Sequence, residues 1–81
     1  MDRDAVLGQM RAYFEAKQPP DVLADFARQS PRALLPDSMD IVDFILHLEE
    51  TLGCEIDVSE IGESLVRMNF GELAGELAGR C

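Results

Sequence analysis

Residues 39–52 run without a proline or a glycine, and Gly53 then stops them. A breaker-free stretch of that length, opened by Asp37 and Ser38 and closed by a glycine, predicts an α-helix. This helix constrains the fold more than any other segment, because one of its faces has to be covered. At about 100° per residue, Ile41, Ile45, Leu48 and Leu52 form one narrow stripe with Val42 beside it, the pattern of a helix laid on a core. Met39, Asp43, Leu46 and Glu50 fall on the far side and make a second face, apolar and acidic by turns. That second face reads in two ways: as solvated surface, or as a docking stripe whose carboxylates meet Lys or Arg on a partner.

The rest of the chain supplies the cover. Over residues 4–17, Val6, Leu7, Met10, Tyr13 and Phe14 recur at three- and four-residue steps, predicting a first helix that Pro19 and Pro20 end. Residues 21–35 carry a weaker pattern of Val22, Leu23, Phe26 and Ala27, interrupted by Ser30-Pro31, and are expected to form a long loop anchored by a few apolar contacts. Asp57 or Ser59 can cap a third helix, short and less regular, ending near Val66. Asn69 followed by Glu72 is a capping-box start for a last helix in which Phe70, Leu73, Ala74 and Leu77 share a face. No alternating pattern lasts long enough for a strand. The expectation is all-α: a small four-helix bundle in one domain spanning residues 1–81.

Charge narrows the range of functions. Sixteen carboxylates stand against seven Lys and Arg, a formal charge of −9. Nucleic acid is disfavoured, since binding it rests on cations neutralising phosphate; basic partners are favoured. Residues 33–66 hold no Lys or Arg, yet include Asp37, Asp40, Asp43, Glu49, Glu50, Glu55, Asp57, Glu60 and Glu63. No stretch approaches the roughly 20 apolar residues of a membrane span, and no apolar signal core follows Met1. The two cysteines, Cys54 and Cys81, lack metal-ligand spacing and read as free thiols, Cys54 turned inward and Cys81 frayed. A cytoplasmic, monomeric protein is the default expectation.

Catalysis within the chain is hard to assemble, and the expectation is that it is not an enzyme. His47, the only histidine, lies nine residues beyond Ser38, about 13 Å along a helix axis, too far to serve it as a base. By its helical angle it should face away from the core stripe, toward solvent. The scattered His47, Cys54, Cys81 and carboxylates give no metal site. Ser38, as a helix N-cap, needs no further explanation on structural grounds. Its setting at an exposed helix tip between Asp37 and Asp40 also suits modification by another protein, with a phosphodiester at the positive end of the helix dipole.

Asp37-Ser38-Met39-Asp40-Ile41-Val42 resembles the Asp-Ser-Leu-Asp signature of acyl carrier proteins. The run from Phe44 through His47, Glu49-Glu50 and Gly53 to Glu55-Ile56 is similar to that family's second helix and following turn, so the likeness covers nearly the whole chain. The resemblance implies a four-helix carrier fold and 4′-phosphopantetheine, donated by coenzyme A, esterified to Ser38 beside Asp37. A separate phosphopantetheinyl transferase, bringing Mg²⁺, would attach it. It implies further that Met39, Asp40, Asp43, Leu46, Glu49, Glu50 and Glu55 meet the transferase and the loading ligases or synthases of fatty-acid, polyketide or specialised lipid-type biosynthesis. Four of those seven belong to the second face already described. Pro36 departs from the family's usual glycine, and Leu34-Leu35 with Val58-Ser59-Glu60-Ile61 resemble carriers of D-alanine or other amino acids, loaded by an adenylate-forming ligase. An unmodified acidic helical interaction module is the alternative from another class.

Overall fold

Asp2 opens the first helix: its Oδ1 accepts the Ala5 N–H at 2.8 Å, one of the donors that a helix start leaves without an intrahelical partner. The computed structural model describes residues 2–80. Helix α1 spans Arg3–Glu15 and buries Val6, Met10 and Phe14, one residue per turn, while Leu7 and Tyr13 pack at the margin. All regular structure among the described residues is helical.

The segment expected as a loop is largely made of short helical turns. Two 3-10 turns, Pro20–Leu23 and Phe26–Arg28, bury Leu23 and Phe26. Asp25 between them adopts φ +56°, a left-handed conformation that Asp tolerates better than most residues. The Gln29 side-chain amide donates to the carbonyls of Val22 and Ala24, tying the turns together. Ser30-Pro31 starts a helix where an interruption was expected. The Ser30 hydroxyl accepts the Arg32 N–H at 3.3 Å, and proline at the first helical position lacks only an N–H that had no partner there. Helix α2, Pro31–Leu34, is the result, giving five α-helices among the described residues where four were expected.

The predicted second helix is α3, Ser38–Leu52, closed by Gly53 at φ +70°, where a side chain would be strained. Helix α4, Val58–Arg67, keeps the expected bounds to within a residue and is one continuous α-helix, more regular than expected. Asp57 caps it, accepting the Ser59 N–H at 2.9 Å and the Ser59 hydroxyl at 2.6 Å. Those donors, the hydroxyl foremost, hold the Asp57 carboxyl below the ordinary carboxylate range. Helix α5, Phe70–Arg80, starts on the expected capping box: the Asn69 N–H donates to Glu72 Oε1 at 3.1 Å, and the Glu72 N–H returns to Asn69 Oδ1 at 2.8 Å.

Phenylalanines fill the centre. Phe14, Phe44 and Phe70 are essentially inaccessible to solvent, with ring centroids 5.3 to 6.1 Å apart, and Phe26 stacks on Phe70 at 4.3 Å. Helix α1 lies along α5 and packs against α3. Arg3 Nε ties the start of α1 to the Gly71 carbonyl at 3.0 Å, and the Phe70 N–H reaches Gln29 O at 3.0 Å. The turns before α2 are thereby pinned under the start of α5.

The buried arc of α3 differs from the expected stripe. Phe44, Ile45 and Leu48 are buried, Ile41 and Leu52 only partly, and Val42 is exposed. Phe44 and Val42 flank the stripe on opposite sides; the core takes the Phe44 side because Phe14 and Phe70 lie there. The same rotation corrects His47, which is half-buried with its ring 5.0 Å from that of Tyr13. Cys54 is disulfide-bonded, which corrects its reading as a free thiol; the reading of Cys81 lies outside the described residues. None of the described helices is long and apolar enough to cross a membrane.

Candidate functional site at the start of helix α3

The cap of α3 belongs to Asp37, whose Oδ1 accepts the Met39 N–H at 3.2 Å. Ser38 is the first helical residue and not the N-cap, so the structural explanation offered by its sequence position does not apply. Its side chain is exposed, and its hydroxyl forms no hydrogen bond with any described residue. A helix start that already has an Asp cap leaves this hydroxyl without a structural task.

Three surfaces meet near Ser38. The first is the outer face of α3, where Met39 is 66% and Leu46 53% exposed. Asp40, Asp43, Glu50 and Glu55 are exposed too, and none of them forms an ion pair with a described residue. Leu46, Glu49, Glu50 and Glu55 come together around a shallow hollow of about 400 Å³ at the end of α3. Glu49 differs from the others in having an internal partner: its Oε2 accepts the Ile56 N–H at 2.9 Å, fixing the loop over residues 53–57. Its neighbours in the acidic row have no such bond.

The second surface is a crevice of about 260 Å³ where Asp40 and Asp43 face Tyr13 and Lys17. Lys17 Nζ sits 5.1 Å above the Tyr13 ring, a cation–π geometry. Burial pushes the Tyr13 hydroxyl above its ordinary pKa of 10.0, and the Asp43 and Asp40 carboxylates add to the shift.

The third surface was missed in the sequence. Ser38 and Arg32 line an apolar groove of about 240 Å³ whose walls are Ile41 and Val42 from α3 and Val58, Gly62, Leu65 and Val66 from α4. Its sequence signal is the spacing of Val58, Gly62 and Val66 at four-residue steps, which puts a glycine between two valines on one face. Val66 is 57% exposed, and a Cβ added to Gly62 would meet nothing within 4 Å.

No family model matches the chain, and no curated protein or solved structure matches it significantly.

Proposed function

We propose that this chain is an acyl carrier protein: it holds acyl intermediates as thioesters on a 4′-phosphopantetheine arm at Ser38 and presents them to partner enzymes. The observation that carries the reading is the Ser38 hydroxyl, exposed at the first turn of α3 and without a hydrogen-bond partner, while Asp37 does the capping. The surroundings fit the group, since Ser38 is among the residues that line an apolar groove large enough to receive an uncharged chain. When bound, the arm supplies the terminal thiol that forms the thioester. The remaining chemistry asks little of this chain. Ser38 Oγ bonds to the pantetheine-side phosphorus of coenzyme A, the bond to the adenosine bisphosphate leaving group breaks, and the hydroxyl proton departs. His47, about 13 Å along the axis and packed on Tyr13, is no base for that step, so the base and the Mg²⁺ belong to the transferase.

The outer face of α3 supports the same reading. Exposed Met39 and Leu46 offer apolar anchors, and the unpaired carboxylates of Asp40, Asp43, Glu50 and Glu55 attract basic patches on a transferase or loading enzyme. Glu49 contributes charge but is held by Ile56. The all-helical fold, with a long connection ahead of the serine-bearing helix, supports the reading, and α2 is a helix beyond the four that the resemblance implies.

The test is intact mass after incubation with a broad-specificity phosphopantetheinyl transferase, Mg²⁺ and coenzyme A. Wild type should gain one phosphopantetheinyl group and Ser38→Ala none. Reversing charge at Asp43 and Glu50 should slow loading at low salt and matter less at high salt, where screening shortens the field. An unmodified wild type would overturn the proposal.

A further inference from the structure

Cys54 follows the glycine that stops α3 and lies in the loop over residues 53–57, half-buried and packed on the core. It is disulfide-bonded. The one other cysteine of the chain, Cys81, directly follows Arg80, the last residue of α5. The end of α5 lies beside that loop: Arg80 lines a hollow of about 600 Å³ with Glu49, Glu55, Ile56, Asp57 and Glu60, and is the only base among them. Its guanidinium donates to Glu60 Oε2 at 2.9 Å, tying α5 to the first turn of α4, and to Glu76 Oε1 at 3.3 Å within α5. The Glu60–Arg80 pair is exposed on both sides, so salt screens it and alone it holds weakly.

We infer that the Cys54 disulfide is a redox-sensitive clasp: it ties the last turn of α5 to the loop over residues 53–57, and its reduction leaves that turn to the salt-sensitive Glu60–Arg80 pair. The clasp is independent of what Ser38 carries. What it governs is the shallow hollow at the end of α3, because Cys54 and Glu55 form part of its wall with Leu46 and Glu50. Its release is local. Phe70, Leu73, Ala74 and Leu77 anchor α5 in the core, and all of them precede the last turn. Cys54 lines the hollow, where a small dithiol can reach it without unfolding the chain. A thiolate of the dithiol attacks one sulfur of the disulfide, the S–S bond breaks, and the departing sulfur keeps the electron pair and takes a proton. The second thiol of the reductant then resolves the mixed disulfide, which leaves two protein thiols and one oxidised dithiol.

The experiment uses the full chain, oxidised or reduced with dithiothreitol at neutral pH without denaturant, and compares wild type, Cys54→Ser and Arg80→Gln. Intact mass of the oxidised wild type should be that of one chain, lower than the reduced form by two hydrogens. A doubled mass would place the disulfide between chains and overturn the clasp. Amide hydrogen exchange followed by NMR then reads the release. Reduction should speed exchange at Ile56 and at Ala78, Gly79 and Arg80 by at least about tenfold, while Phe14, Phe44 and Leu73 stay protected. In the reduced protein, high salt should speed exchange at Ala78–Arg80 further, by up to about fivefold, the most that an exposed pair supplies; in the oxidised protein salt should change nothing there. Arg80→Gln should reach the high-salt rate at low salt when reduced, and match wild type when oxidised. Cys54→Ser should behave as the reduced form with or without dithiothreitol. Unchanged rates at Ile56 and Ala78–Arg80 on reduction overturn the inference, and so does equal salt sensitivity in both redox states. Protection lost at Phe14 and Phe44 on reduction overturns it too, since the disulfide would then be a staple for the whole domain.

Discussion

Replacing Glu49 by alanine removes the only carboxylate of the α3 acidic row that has an internal partner, and its cost can be worked from one bond. Glu49 Oε2 accepts the Ile56 N–H at 2.9 Å, and Ile56 is 6% exposed, so water replaces the lost acceptor poorly. Leaving a buried donor without a partner costs about 1–3 kcal/mol. The site is only partly buried, which puts Glu49→Ala in the lower half of that range, at about 1.5 kcal/mol. For a domain of 81 residues, each kcal/mol moves Tm by about 4–8 °C, so the variant should melt ~6–12 °C lower. Glu49→Gln keeps an amide oxygen for the same N–H and should lose less than half as much, although it removes the charge completely. Thermal unfolding followed by circular dichroism measures both. If Glu49 acts mainly as a surface charge for docking, the two variants will melt alike, within about 0.5 kcal/mol of wild type, and will slow phosphopantetheine loading equally. That outcome would refute the assignment of Glu49 to the 53–57 loop.

Two glycines should respond in opposite directions to alanine. Gly62→Ala meets no neighbour and should gain about 0.5–1 kcal/mol from helix propensity, whereas Gly71→Ala puts a Cβ 2.6 Å from Arg3 Nη2 and 3.1 Å from the Ala27 carbonyl and should lower Tm; a gain at Gly71 would contradict the packing of α5 on the Phe26–Arg28 turn. Asn69→Ala removes one arm of the α5 capping box and should cost about 1 kcal/mol in urea unfolding, with no change at all counting against the cap. Tyr13 is the only tyrosine, so an ultraviolet titration reports it alone. Its folded pKa is raised, so the folded state keeps the proton longer than the unfolded chain does, and stability should fall as pH rises past the unfolded value near 10. Asp43→Asn should lower the midpoint, but by less than burial raises it; an unmoved midpoint would remove Asp43 from the Tyr13 environment.

What was legible in the sequence was local. The caps at Asp57 and Asn69, the stop at Gly53 and the buried face of α1 all follow from side chains acting within a turn or two of their own backbone, whereas the cap of α3 was read at Ser38 and lies one residue earlier, at Asp37. The rest depends on what arrives from elsewhere in the chain. Phe44 displaces Val42 from the core because Phe14, Phe26 and Phe70, distant in sequence, assemble on its side. His47 meets Tyr13 for the same reason. Ser30-Pro31 reads equally well as a break or as a helix start, and the start prevails because Leu35 and Pro31 find cover. Around the candidate site, the exposed residues of α3 were legible from helical angles alone. The groove needs α4 and α2 beside α3, so Arg32, Gly62 and Val66 could be recognised only in three dimensions. The expectation of a cytoplasmic location leaned partly on free cysteines, and the disulfide at Cys54 removes that support.

The central claim is that Ser38, and no other hydroxyl, carries a phosphopantetheine arm, and the chain offers a direct way to locate it. Residues 33–67 contain no internal Lys or Arg, so trypsin releases them, after reduction, as one peptide holding Ser38, Thr51, Ser59 and Ser64. After incubation with transferase, Mg²⁺ and coenzyme A, fragmentation of that peptide should put the whole mass gain on Ser38. A gain on Thr51, Ser59 or Ser64, or an unmodified peptide under conditions that fully load a known carrier, would contradict the account.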